Sequence, residues 1–135
     1  MKTRQFRDLV VWQRAMGLAR NIYSVTQDFP KKEVFGLTSQ LCRAAVSIPS
    51  NIAEGHGRLS DKSFAVFLGQ ARGSLYEVES QLELAHGLGY IEEQRFDQLL
   101  TESSEIGRML NGLLNKLREA KQLNWQLGSL EGKSG

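Results

Sequence analysis

The chain has 135 residues, of which 41% are hydrophobic, and it contains two prolines and one cysteine. This length fits one domain that can bury a core without disulfides, and its richness in Leu, Ala, Glu, Gln and Arg favours helices. The sequence contains no apolar run of 18 residues, which excludes a transmembrane span. Its single cysteine, Cys42, excludes an internal disulfide. We therefore expect a cytoplasmic protein without a secretory signal or a membrane partner.

The net charge of +2 is unevenly distributed along the chain. Residues 1–72 carry 11 Lys or Arg and 5 Asp or Glu, whereas residues 73–135 carry 6 and 10. If the two halves occupy different faces, the folded surface is polarised, and its positive part attracts polyanions. The alternative is that oppositely charged helix pairs attract each other or a neighbouring subunit.

The first predicted helix runs from about Asp8 to Gln27, with Asp8 at its N-terminal cap. Residues at three- and four-residue spacing form its apolar stripe: Leu9, Trp12, Met16, Ala19, Tyr23 and Thr26. Further hydrophobic residues widen that stripe: Val10, Val11, Leu18, Ile22 and Val25. Pro30 ends the helix, because a proline disfavours helical geometry at the residue before it, here Phe29.

The second predicted helix begins near Glu33 and continues across Pro49, since its apolar spacing persists on both sides: Leu37, Leu41, Ala44 or Ala45, Ile48 and Ile52. A proline inside a helix removes one backbone hydrogen bond, so we expect a kink at Pro49 and not a stop. The side chains of Ser47, Ser50 and Asn51 can donate to the freed carbonyls. This polar cluster therefore has a structural explanation that needs no ligand.

The third predicted helix has the clearest pattern. Ser60 is its expected N-cap, and Gly55 suits a left-handed C-cap for the helix before it. A heptad seam runs along the third helix without error: Phe64, Leu68, Ala71, Leu75, Val78, Leu82 and Ala85. Gly69 and Gly73 lie beside the seam, where a close helix approach would offset the roughly 1 kcal/mol that each glycine costs. Gly89 follows the end of the helix.

The fourth predicted helix spans about Glu92 to Gln122 and repeats the seam: Phe96, Leu99, Ser103, Ile106, Leu110, Leu113 and Leu117. Four such helices with short connections predict an all-α, antiparallel up-down-up-down four-helix bundle over residues 1–122. The small, polar tail over residues 123–135 is expected to be disordered. Apolar residues outside the seams predict a homo-oligomer interface: Val10, Val11, Phe35, Val66, Phe67, Tyr76 and Leu84.

Several stretches, which together cover about residues 5–120, resemble one bacterial family. They are "DLVVWQRAMGLARNIYSVT", "FP" followed by "E", "FGLTSQLCRAAVSIPSNIAEGHGR", "FLGQARGSLYEVESQLELAHGLGYI" and "IGRMLNGL". The family comprises small four-helix bundles often encoded within intervening sequences of 23S rRNA genes. Its most specific motif includes Ser47, Pro49, Ser50, Asn51, Glu54, Gly55 and Gly57.

The resemblance implies a ring-like homopentamer and suggests contact with RNA. The chain is also similar to the accessory protein of diversity-generating retroelements, a basic pentamer that binds nucleic acid and a reverse transcriptase. The resemblance carries no catalytic residues with it. It therefore adds an assembly and a class of partner to the predicted fold, and no reaction.

The residues themselves predict no enzyme, no cofactor and no metal site. Glu83 and His86 form one Glu-x-x-His motif, whereas di-iron bundles use two that face inward. Cys42 has no histidine near it in sequence, and His56 is interpreted as a turn residue near solvent.

The functional hypothesis is binding of RNA or DNA, because Lys and Arg side chains neutralise phosphates without reading sequence. The candidate residues are Arg7, Arg14, Arg20, Lys31, Lys32, Arg43, Arg58, Lys62 and Arg72. The alternative is a protein-interaction scaffold with no nucleic-acid role. In that case Arg43 and Arg72 pair with Glu54, Glu77 or Glu79 across subunits. Convergence of the basic side chains on one solvent-facing patch would favour the first hypothesis.

Overall fold

The computed structural model describes residues 5–134, and it describes side chains for residues 5–120. Four α-helices make up most of the chain: α1 (Val10–Thr26), α2 (Leu37–His56), α3 (Asp61–Gly87) and α4 (Glu93–Ser134). Short 3-10 turns at Phe6–Asp8 and Lys31–Glu33 precede α1 and α2. The described residues contain no strand. The predicted all-α fold with four helices is confirmed.

The helices contact one another in a closed order, α1 with α2, α2 with α3, α3 with α4, and α4 with α1. In the described part of the chain α1 and α3 make no backbone contact, which places them on a diagonal of the bundle. The contacting residues run in opposite order along neighbouring helices, as antiparallel packing requires. Examples are Arg14 with Glu105, Asn21 with Glu102, Ser47 with Ser74, Ser103 with Glu79 and Arg72 with Asn111.

The seams predicted for α2, α3 and α4 form the core. Every residue of the α2 seam is buried, and Leu68, Ala71, Leu75, Val78, Leu82 and Ala85 are buried on α3. On α4 the buried residues are Phe96, Leu99, Ser103, Ile106 and Leu110. Phe64, Leu113 and Leu117 are partly buried at the edge of this core. Heptad spacing therefore identified the inward side of three helices.

The inward side of α1 was predicted only in part, since Ala19 and Thr26 of the predicted stripe are buried but its larger residues are not. The buried residues of α1 are Val11, Ala15, Leu18, Ala19, Ile22, Val25 and Thr26. Trp12 and Met16 of the predicted stripe are half-buried, and Tyr23 is 51% exposed. Both stripes have the same three- and four-residue spacing, because α1 is apolar on more than one side. Val11, which the sequence suggested for an outer surface, is 4% exposed.

Two helix starts also differ from the prediction. α1 begins at Val10, with extended Leu9 as its N-cap, while Asp8 lies in the preceding 3-10 turn. α2 begins at Leu37, whose backbone N–H donates to the Glu33 carboxylate at 3.3 Å. Glu33 therefore precedes α2 and accepts a hydrogen bond from the first residue of the helix. The N-cap of α3 is as predicted, since the Ser60 hydroxyl accepts from the third residue of the helix at 3.1 Å.

Gly55 lies inside α2 and is buried, so its prediction as a left-handed C-cap is wrong. α2 ends at His56, and its C-cap Gly57 has a right-handed φ of −77°. A Cβ at Gly55 would lie 2.6 Å from the Cβ of Phe67 on α3. Gly55 is needed because the two helices approach each other closely at this point.

Gly69 and Gly73 show the opposite situation. A Cβ at either position would meet no other atom within 4 Å, so the close approach predicted for them is absent within the subunit. Gly89 lies two residues after the end of α3. It has a φ of +80° and turns the chain towards α4.

Two further predictions stay predictions. The side chains of the expected disordered tail, residues 123–135, lie outside the described residues. α2 passes through Pro49 as one helix, and the expected kink is untested. None of the described helices has the length and hydrophobicity needed to cross a membrane.

Candidate functional site

The polar cluster around Pro49 is bonded within the bundle. The side-chain amide of Asn51 donates to the Ser47 carbonyl at 2.8 Å and to the Ser47 hydroxyl at 3.0 Å. The Ser74 hydroxyl on α3 donates to the same Ser47 hydroxyl at 2.9 Å. Pro49 leaves the carbonyl of Ala45 without its usual donor, and none of the described side chains bonds that carbonyl. The cluster links α2 to α3, and its described bonds go to Ser47 and not to the carbonyl that Pro49 frees.

The rest of the motif shapes the end of α2 and its outer surface. The Glu54 carboxylate accepts from the Arg58 guanidinium at 2.9 Å, and that guanidinium lies 4.8 Å from the centroid of the Phe67 ring. Ser50 is exposed, next to buried Pro49. The motif therefore supplies packing, a helix end and part of an outer surface.

That outer surface is a groove between α1 and α2. Its volume is about 490 Å³, and its lining includes Trp12, Met16, Tyr23, Val46, Pro49 and Arg20. The apolar α1 residues in this lining belong to the stripe that the sequence assigned to the core. The groove is thus a largely apolar surface that faces outward, with Arg20 as its charged member. We call it the α1–α2 groove.

The connections at one end of the bundle are joined by Glu33. The Tyr90 hydroxyl donates to its carboxylate at 2.8 Å, and the ring of Phe29 packs 5.4 Å from the ring of Tyr90. The bond from Tyr90, and then the one from the Leu37 amide, lower the pKa of Glu33. Because the Tyr90 hydroxyl donates this bond to Glu33, the pKa of Tyr90 is raised. This contact explains the acid that follows "FP" and the tyrosine that precedes Ile91.

The nine basic candidates do not converge on one patch. Three of them bind partners in the same chain: Arg14 bonds Glu105 at 3.0 Å, Arg58 bonds Glu54 at 2.9 Å, and Arg72 donates to Asn111 at 2.9 Å. Lys31 and Lys32 lie at the end of the bundle where acids also gather: Asp28, Glu33, Glu92 and Glu93. Arg20 and Arg43 lie on α1 and α2, and α1 contains no acidic residue.

The opposite end of the bundle is richer in basic residues. Arg7, Arg58 and Lys62 lie there, where α1 begins, α2 ends and α3 begins, and all three are exposed. The antiparallel order adds Lys116 and Arg118 of α4, which follow the contact of Asn111 with Arg72. We call these five residues the basic end. The acids near them are Asp8, Glu54, Asp61 and Glu119.

The sequence interpretation missed Lys116 and Arg118, because their place beside the start of α3 follows from helix pairing and not from any motif. Two facts together could have identified them: the antiparallel order, and the length of α4. The fold therefore assembles a basic surface from both halves of the chain.

Side chains with catalytic or metal-binding chemistry do not cluster in the described part of the chain. It holds no group of three or more His, Cys, Asp or Glu side chains suited to a metal ion. His86 bonds Glu93 at 2.7 Å and stacks on Phe96 with the ring centroids 4.1 Å apart. Half-buried Cys42 lies 3.5 Å from the hydroxyl of Thr26. These groups make contacts between structural elements.

Comparison with known proteins agrees with the helical architecture. A family model described as 23S rRNA-intervening sequence protein matches residues 7–112. A crystal structure of a protein of unknown function, from the S23 ribosomal protein family of Bacteroides thetaiotaomicron, is 26% identical, with a TM-score of 0.71. The match covers 78% of this chain and 98% of that one. No curated protein matches the chain. The chain belongs to the 23S rRNA-intervening sequence protein family.

Proposed function

We propose that this protein is a non-enzymatic, homo-oligomeric four-helix bundle that binds RNA or DNA through its basic end. The observation that carries the proposal is the meeting of five exposed basic residues from four separate segments at one end. Five described basic residues then oppose the four acids of this end.

The physical basis of binding is charge neutralisation. Lys and Arg near phosphates release condensed counterions, which gives affinity without sequence selectivity and a strong dependence on salt. One copy with this small excess of charge binds weakly. Several copies that present the same end on one face bind together, and their effective concentration raises the affinity. The proposed number of five copies comes from the family resemblance.

The first experiment measures binding of labelled single-stranded RNA, structured RNA and single-stranded DNA at about 50 mM and about 200 mM salt. We expect binding at the lower concentration and a marked loss at the higher one. Absence of binding at low salt would overturn the nucleic-acid part of the proposal. An affinity that does not change with salt would contradict its mechanism.

A matched pair of variants locates the surface. Lys62→Glu with Lys116→Glu reverses two charges at the basic end, and Lys31→Glu with Lys32→Glu reverses two at the other end. Both pairs replace exposed lysines and change the net charge equally. We expect the first pair to weaken RNA binding at least about tenfold and to flatten the salt dependence. Equal loss in both pairs would show an effect of net charge alone.

The assembly is tested separately by light scattering. We expect a mass near five times the 15.2 kDa of one chain at micromolar concentration. A monomer at that concentration would overturn the homo-oligomer part of the proposal, whatever the result with RNA.

A protein-interaction scaffold without a nucleic-acid role is the second candidate. Its supporting observation is the amount of apolar surface outside the core, including the α1–α2 groove and Phe35, which is 97% exposed. Purification of the untagged complex from its native host, with separate analysis of RNA and protein, distinguishes the two candidates. Stoichiometric protein without RNA would favour the scaffold.

A further inference from the structure

The α1–α2 groove is an apolar surface that no other side chain among residues 5–120 covers. Tyr23 and Val46 in its lining are 51% and 42% exposed, although neighbouring residues on both helices belong to the core. From Trp12 to Tyr23 the groove follows α1 for about 16 Å, at about 1.5 Å per residue. Apolar surface of this kind marks a docking site when a complementary surface exists.

A second apolar surface lies on the outer side of α3. Val66, Tyr76 and Leu84 are 53%, 55% and 54% exposed there. With Gly69 and Gly73, which lie between Val66 and Tyr76 on the same side of the helix, they form what we call the α3 face. The two glycines remove side chains from its middle, so the backbone of α3 is accessible to a partner.

The glycines of the α3 face have no explanation within the subunit. Each costs about 1 kcal/mol relative to alanine in the interior of a helix. Close packing offsets that cost at Gly55, whose absent Cβ would collide with Phe67, but no atom lies within 4 Å of a Cβ at Gly69 or Gly73. A neighbour from outside the chain would supply the missing close approach.

The two surfaces lie on different sides of the bundle and have complementary charge. α1 and α3 are diagonal, so the α3 face points away from the α1–α2 groove. Arg20 lines the groove, whereas Glu83 lies exposed on the outer part of α3. Arg43 and Glu77 line a separate cavity between α2 and α3 of the same subunit. Among the described side chains neither Arg20 nor Glu83 forms an ion pair. A second copy therefore offers both the apolar and the electrostatic partner.

We propose that the α3 face of one copy packs into the α1–α2 groove of the next, with Glu83 beside Arg20. This inference rests on the homo-oligomer part of the proposed function and names the two surfaces involved. The contact is heterologous, because two different surfaces meet. Repeated contacts of this kind close into a ring or extend into a filament, and they leave both ends of each bundle, including the basic end, uncovered.

Cysteine cross-linking tests this contact. Val46→Cys places a thiol in the groove and Tyr76→Cys places one on the α3 face, each in a Cys42→Ala background. We expect a disulfide-linked dimer when the two single variants are mixed, and little from either variant alone. The double variant should form a ladder of linked copies. Leu59→Cys, at a residue fully exposed beyond α2, is the control for random collision.

The other results each overturn the proposal. Dimers of Val46→Cys alone would show that two grooves face each other. A cross-link from Val46→Cys to Leu127→Cys, and not to Tyr76→Cys, would place the C-terminal segment in the groove. Cross-links no more frequent than those of Leu59→Cys, in a protein that light scattering still shows to be oligomeric, would move the interface elsewhere. A monomer would instead overturn the proposed function.

A variant that blocks the approach gives an independent readout. Gly73→Leu adds a side chain into open space, so the subunit should keep its helical circular dichroism and unfold cooperatively. We expect its self-association to weaken at least tenfold. Gly112→Leu on α4 also enters open space and should not change the association. Equal association of both variants and the unsubstituted protein would overturn the proposal.

Discussion

The two sides of α3 adjoin glycines for different reasons: the inner side packs against Gly55 of α2, and the outer side carries Gly69 and Gly73 of α3 itself. On the side towards α2, a Cβ at Gly55 would lie 2.6 Å from Phe67, so the glycine permits two helices of one subunit to touch. On the outer side, Gly69 and Gly73 adjoin open space. The residue type is the same, but only Gly55 has its close neighbour, Phe67, within the same chain. The difference shows that glycine spacing indicates a close approach without indicating which surface makes it.

Serines divide in the same way. Ser103 on α4 is fully buried and donates to the Glu79 carboxylate of α3 at 2.7 Å. Ser74 bonds Ser47 on α2. Ser80 is exposed on the outer side of α3 and makes none of the described side-chain hydrogen bonds. The inner side of α3 is therefore specified by packing and hydrogen bonds, whereas the outer side is free to be changed unless another copy covers it.

The largest effects are expected on the inner side of α3, and Gly55→Ala is the first of two such substitutions. The added methyl must displace Phe67 or the backbone, and overpacking of this kind costs about 1–3 kcal/mol, against a gain of about 1 kcal/mol in helix propensity. We expect net destabilisation, measured as the free energy of unfolding in urea. Unchanged or higher stability would show that α2 and α3 can separate at this point without cost, and the contrast between the two sides would disappear.

The next effect is expected from Ser103→Ala. Loss of the Ser103 hydroxyl leaves the partly buried Glu79 carboxylate without its hydrogen-bond donor. Hydrogen bonds to charged groups contribute about 1.5–3 kcal/mol. Ser80→Ala, the same substitution on the outer side of α3, should stay within about 0.5 kcal/mol of the unsubstituted protein. Urea denaturation of both variants measures the difference. Similar free energies of unfolding would contradict the distinction between the inner and outer serines.

The core of α3 and α4 could be predicted from the sequence because each helix has one continuous seam. Ser103 was included in that seam although it is polar, and it is buried. α1 could not be oriented in this way, since Leu18 and Trp12 belong to stripes of equal spacing. The choice between them depends on which stripe meets α2 and α4 in three dimensions. The stripe that contains the larger aromatic residues became the groove.

The candidate basic surface was only partly predictable for a related reason. Lys62 and Arg58 are close in sequence and stay close in the fold, whereas Lys116 reaches them through antiparallel packing. Lys31 and Lys32 form a basic pair in the sequence, but the fold places acidic residues such as Glu93 at the same end of the bundle. Sequence position gives the charge of a residue, and the helix order determines which other charges lie beside it.

A smaller effect of opposite sign is expected from Gly73→Ala. The methyl enters open space and reduces the entropy of the unfolded chain, so each subunit should gain about 0.4–1 kcal/mol. If α3 packs against another copy, the same methyl should weaken self-association. Gly112→Ala should stabilise equally and leave the association unchanged. Urea denaturation under dissociating conditions and light scattering measure the two quantities, and a variant that gains in both would contradict an interface at Gly73.

The smallest effect is expected beyond the last turn of α3, where Tyr90 and Glu33 meet near solvent. The lowered pKa of Glu33 stabilises the fold at pH above the ordinary carboxyl pKa of 4.5, and this contribution is lost as the pH falls through the lowered pKa. The raised pKa of Tyr90 stabilises below 10.0, and that contribution is lost as the pH rises through the raised value. Both contributions come mainly from one hydrogen bond, so both should respond to one substitution.

Tyr90→Phe removes that bond and the titrating hydroxyl together. The difference in urea midpoint between the unsubstituted protein and Tyr90→Phe should be largest near neutral pH and should shrink towards both extremes, because the bond needs an ionised Glu33 and a neutral Tyr90. Tyr76→Phe on the outer side of α3, whose hydroxyl makes none of the described hydrogen bonds, should show no such maximum. A difference for Tyr90→Phe that stays constant with pH would mean that the ring packing against Phe29, and not the bond to Glu33, joins the two connections.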